Sequence, residues 1–117
     1  TFHAAGLPAR AGLIRFPFGA CNTPQREAVA GSGRLMIGWD VDSNDWRRET
    51  NEAGLLRTVE TLAKPGSILL FHDRSKPTAD ALPAILDKLE AMGLRPVSVG
   101  RLLAANVEEA AGAAPAK

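Results

Sequence analysis

Apolar positions along the chain form two kinds of pattern. Three short unbroken runs each end in charge: Gly12-Leu13-Ile14 before Arg15, Leu35 to Trp39 before Asp40, and Ile68 to Phe71 before His72-Asp73. Two stripes repeat at spacings of three and four, Leu55-Leu56-Val59-Leu62-Ala63 and Leu82-Ile85-Leu86-Leu89-Met92. The runs predict strands and the stripes predict amphipathic helices. A further helix is expected from Asn22-Thr23-Pro24 to Gly31-Ser32-Gly33, because proline suits a first turn and glycine a helix end. Pro65-Gly66 stops the second helix and Gly93 the third. Pro83 is expected in a first turn, which places the start of that helix at Thr78 to Asp80. Arg95 to Val99 reads as a fourth strand, Arg101 to Ala105 as a short helix, and residues 40–49 as irregular.

Strands thus alternate with helices. Strands that are apolar throughout, rather than at alternate positions, are buried on both faces. The expected class is therefore α/β with parallel strands. In such folds the carboxyl ends of the strands carry the chemistry. Three of those ends hold polar groups here: Arg15; Asp40 with Asp42 and Asp45; His72 with Asp73.

Composition narrows the function classes. A chain of 117 residues with 45% apolar and 23% charged residues is expected to form one domain. A net charge of +1 without clustered Lys or Arg gives no footprint for nucleic acid or lipid. No apolar run approaches the length of a membrane span. The single cysteine, Cys21, excludes an internal disulfide. The chain opens on Thr1 without a visible signal peptide, which points to a trimmed or partial chain. From Asn106 it turns Ala-rich, and 106–117 is expected to be a disordered tail.

Asp40 to Asn51 is not a calcium loop, because Asp45 stands where Gly is needed and Asn51 where Glu is needed. Gly31-Ser32-Gly33 precedes a strand and lacks a third glycine, so it is a turn. Asp40-Val41-Asp42 resembles the D-x-D of haloacid-dehalogenase-like phosphohydrolases with Asp40 as nucleophile, but the next strand ends in His72 rather than Ser or Thr.

One family fits all three strand ends. Arg15-Phe16-Pro17-Phe18-Gly19 resembles the R-x-P-Y/F-G motif of the polysaccharide deacetylases, the NodB homology family. Asp42-Ser43-Asn44-Asp45-Trp46 resembles its D-x-x-D-W, and Leu70-Phe71-His72 its L-x-H. The resemblance runs from about Leu13 to Leu103. It implies part of a distorted (β/α) barrel and hydrolysis of N- or O-acetyl groups on a polysaccharide. In that family a divalent metal, commonly zinc, activates the attacking water. The resemblance makes His72 the general acid, Asp45 the carboxylate that contacts and tunes it, and Arg15 the partner of a base Asp. It makes Trp46, Leu70 and Phe18 substrate contacts, with Trp46 stacking on a sugar face and Leu70 beside the acetyl methyl. Asp40, Asp42 and Asp73 are expected to shape turns or support the site.

The departure lies in the family's first motifs, which carry the base, an Asp metal ligand and an H-x-x-x-H pair. Only two histidines occur, and His3 lies just 12 residues before Arg15 with no histidine four residues on. The chain therefore looks like the C-terminal portion of a deacetylase domain over 1–105, with the metal ligands absent and no activity expected alone. Expected partners are an acetylated polysaccharide and either the missing N-terminal half or a second copy. Family habit places such proteins in the cell envelope or outside the cell. The alternatives are a non-catalytic glycan-binding or subunit-binding remnant, and the phosphohydrolase.

Overall fold

The computed structural model describes residues 12–105. His3 and the Ala-rich 106–117 stretch lie outside the described residues. The chain divides after Gly38 into two compact units.

The first unit holds β1 (Leu13–Ile14), a 3-10 turn at Pro17–Gly19, α1 (Thr23–Gly31) and β2 (Leu35–Met36), with β1 and β2 paired in parallel. Asn22 starts α1 through a reciprocal cap. Its Oδ1 accepts the Gln25 amide at 2.9 Å, while the Gln25 side chain accepts the Asn22 amide at 3.0 Å. Phe18 sits in the left-handed region at φ 59° and is fully exposed.

The second unit holds β3 (Val41–Asp42), α2 (Glu52–Leu62), β4 (Leu69–Leu70) and α3 (Lys76–Ala91). Val41 pairs with Leu69 and Asp42 with Leu70, again in parallel. The core lies where α2 meets α3: Leu55 and Val59 from one, Ala81, Ile85 and Leu89 from the other, all buried. Leu55, Val59, Ile85 and Leu89 come from the two stripes of the sequence, whereas Leu62, Leu82 and Leu86 of those stripes are exposed and Ala81 takes a core place outside them. Ile85 is 1% exposed, so Ile85→Val should cost about 1 kcal/mol in urea denaturation. No measurable loss would mean that this face is not packed.

Four expectations change. The strands are two residues long and form two separate pairs. Residues 40–49 are not wholly irregular, since Val41–Asp42 is β3. Among the described residues Arg95 to Val99 joins no strand: residues 94–98 carry no regular structure, and 99–105 is helical. Pro96 has no amide to offer a ladder. Ser98 starts the helix instead, its Oγ accepting the Arg101 amide at 3.2 Å. Finally, α3 begins at Lys76, so Pro83 stands inside the helix. Ser75 starts the helix earlier, its Oγ accepting the Thr78 amide at 3.3 Å, and burial of Ala81, Ile85 and Leu89 against α2 offsets the bond lost at Pro83. Ala79, whose carbonyl loses its usual partner to Pro83, is exposed, so water can satisfy it.

Candidate active site

The site is built on the two loops that follow β3 and β4. Asp42 shapes the first. Its Oδ1 accepts the Asn44 amide at 2.9 Å, closing an Asx turn, and Asn44 adopts φ 55°. Asparagine tolerates that left-handed backbone better than most residues. Thr50 Oγ1 donates to the Asn44 carbonyl at 2.7 Å and holds the far side of the turn. The turn carries Asp45 inward, where its side chain is 0% exposed.

Every oxygen of that buried carboxylate is occupied. Oδ1 lies 2.6 Å from His72 Nδ1. Oδ2 accepts the His72 backbone amide at 2.7 Å and the Thr78 hydroxyl at 2.7 Å. Burial alone would raise the Asp45 pKa, but hydrogen bonds from Thr78 and from the His72 backbone and ring outweigh it, and the net shift is downward. Asp45 is therefore a carboxylate, which can only accept. The proton of the short contact must then sit on His72 Nδ1. The ring's other nitrogen, Nε2, has no partner among the described residues, and the side chain is 45% exposed. One nitrogen is held against an anion and the other is left to face solvent or substrate.

The remaining candidates fall as follows. Leu70 is buried at 6% and pairs with Asp42 across the short ladder. Trp46 is 62% exposed rather than core, with the Arg47 guanidinium 5.2 Å from its ring centroid. Arg15 and Phe18 belong to the first unit and are exposed there. Asp40 Oδ2 accepts the Ile68 amide at 2.8 Å, a backbone tie rather than a poised nucleophile. Asp73 is exposed. Sequence reasoning missed Ser43, Ser75 and Thr78. All three are buried around Asp45, and Ser75 Oγ also donates to the Asp45 carbonyl at 3.1 Å. The available signal was the Ser-x-x-Thr spacing just after His72, a helix-start pattern.

The chain is 33% identical over 90 residues to a peptidoglycan-N-acetylmuramic acid deacetylase of Bacillus subtilis, covering 77% of this chain and 18% of that protein. It is 33% identical over 93 residues to a bifunctional xylanase/xylan deacetylase of Cellvibrio japonicus, covering 79% and 14%. The solved Bacillus subtilis peptidoglycan deacetylase superposes with a TM-score of 0.78 at 29% identity, over 95% of this chain and 52% of that one. The chain belongs to the polysaccharide deacetylases of carbohydrate esterase family 4. No family model matches the chain. As a polysaccharide deacetylase segment it spans less than a fifth of the length of these curated relatives and about half of the solved chain. Its parallel strands and helices are part of that family's (β/α) barrel.

Another similar fold, a pseudoenzyme of the same family from Bacillus anthracis, has a TM-score of 0.70 at 27% identity over 78% of this chain and 32% of its own. The fold alone therefore does not carry activity, and the side chains must. Among the described residues no three His, Cys, Asp or Glu side chains converge to hold a metal ion. The described residues do not fit the family's metal. No helix among them is long and apolar enough to cross a membrane.

Proposed function

We propose that residues 1–105 are the C-terminal part of a carbohydrate deacetylase domain and supply its general acid, His72. The observation that carries this reading is the Asp45–His72 contact, which commits Nδ1–H to the carboxylate and leaves Nε2 as the only ring nitrogen able to exchange a proton with substrate. In the protonated ring Nε2 carries a transferable proton. Water adds to the acetyl carbonyl carbon, and as the C–N bond of that adduct breaks to release acetate, its electron pair goes to the leaving nitrogen. Nε2–H donates its proton there, the amine departs, and the imidazole is left neutral with Nδ1–H still on Asp45. For an O-acetyl group the proton goes to the alkoxide instead.

Trp46 supplies an exposed aromatic surface one residue from Asp45, suited to the apolar face of a pyranose. The substrate class is an acetylated polysaccharide. The base that Arg15 would pair with and the ligands of a divalent metal require residues beyond those described, and no activity is expected of the chain alone.

The test is a chimaera in which residues 12–105 replace the matched segment of the Bacillus subtilis peptidoglycan deacetylase. The isolated chain should release no acetate from acetylated peptidoglycan fragments, while the chimaera should do so when metal is supplied. A chimaera that folds and is inert would sink the acid assignment and favour a non-catalytic glycan-binding remnant.

A further inference from the structure

Thr78 occupies the third position of α3, behind the Ser75 cap. At this place a helix start gains from Glu or Gln, whose side chain reaches back to the cap amide. Thr78 cannot make that reach, and the Ser75 amide is already donated to the His72 carbonyl at 3.2 Å. A helical threonine usually turns its hydroxyl onto a carbonyl three or four residues earlier. Thr78 does not do that either. Its hydroxyl crosses 33 positions of sequence to Asp45 Oδ2 at 2.7 Å, in a site where Thr78 is 8% exposed.

Ser75 makes the matching contact to the same residue's main chain, donating to the Asp45 carbonyl at 3.1 Å while accepting the Thr78 amide. The first turn of α3 thus grips Asp45 twice, by backbone and by side chain. A carboxylate held only by His72 could still turn about its Cβ–Cγ bond and exchange its two oxygens. A third donor to the carboxylate, placed on Oδ2 and fixed to a helix that is buried against α2 further along, removes that freedom. Oδ1 then stays in line with Nδ1.

We propose that Thr78 is a positioning residue, whose hydroxyl clamps Asp45 to the start of α3 and thereby holds His72 in the single tautomer with Nδ1–H on Asp45 and Nε2 outward. The catalytic relevance of the clamp rests on His72 being the acid, but its existence does not. Among the described residues His72 is the only titratable group in contact with Asp45.

The test uses 15N spectra of the His72 ring in the protein, recorded where the imidazole is neutral, together with the 13C titration of the Asp45 carboxyl. The wild type should show one tautomer. Thr78→Val keeps the branched shape and loses the donor. It should give mixed tautomers and an Asp45 carboxyl that titrates at higher pH, and Thr78→Ser should restore both. A valine variant that keeps the single tautomer and the wild-type titration overturns the proposal. If valine prevents folding, the wild type still decides. The Thr78 hydroxyl proton should be protected from exchange until Asp45 is protonated, and an unprotected proton sinks the clamp. A locked ring beside an inert chimaera would defeat the acid reading while supporting the clamp. A mixed ring in the wild type would defeat the clamp whatever the chimaera does.

Discussion

Asp45→Ala should lower the stability of the chain by about 3 kcal/mol. The substitution removes a buried carboxylate and strands three donors at once: the His72 amide, His72 Nδ1–H and the Thr78 hydroxyl. A buried donor without a partner costs about 1–3 kcal/mol, and solvent reaching the partly exposed His72 relieves part of the total. For a domain of this size the loss corresponds to a drop in Tm on the order of 15 °C. Differential scanning calorimetry at neutral pH measures it, and a loss below about 1 kcal/mol would mean that the network does not hold the two loops together.

The same residue sets an acid limit. Its pKa is lowered on folding, so the carboxylate's contribution is complete well above the ordinary value of 3.8 and is lost as the pH falls through the still lower folded value. The gap between wild type and Asp45→Ala should therefore narrow in acid.

His72→Ala should leave the fold intact and remove the chemistry. The ring is 45% exposed and contributes no buried apolar contact, so its loss exposes Asp45 to water without hollowing the core. In the chimaera the variant should lose about 10²–10⁴-fold in kcat with little change in KM, the range expected when a positioned acid is withdrawn. A rate within tenfold of the parent would show that another group protonates the leaving atom. Comparing the two substitutions separates the roles: Asp45→Ala costs stability and rate together, His72→Ala rate alone.

The paired apolar stripes of α2 and α3 were legible in outline, because a helix buries one face and the spacing records which, but Leu62, Leu82 and Leu86 lie exposed and Ala81, outside the stripe, is buried. The strands were not. Leu35 to Trp39 and Ile68 to Phe71 are apolar over four or five residues, yet only two of each pair into a ladder. Apolarity records burial, whereas pairing depends on a neighbour supplied from elsewhere in the chain. Arg95 to Val99 shows the same limit, a stretch with two valines that has no strand beside it among the described residues. In the site, His72 and Asp45 stood out as ionisable groups after apolar runs, but their contact was implied only by the resemblance to the deacetylase motifs. Ser75 and Thr78 were hidden, because hydroxyls at a helix start have an ordinary local explanation, and only the fold shows where they point.

The ladders of β3 and β4 are so short that few backbone amides there are protected by regular pairing, and much of the protection must come from α2 against α3. The His72 amide is an exception, since its proton is held by a side chain 27 positions earlier rather than by a strand. Its deuterium exchange is therefore a clock for the site itself. It opens when Asp45 lets go, and it reads the lifetime of the Asp45–His72 contact separately from the unfolding of the helices beneath it.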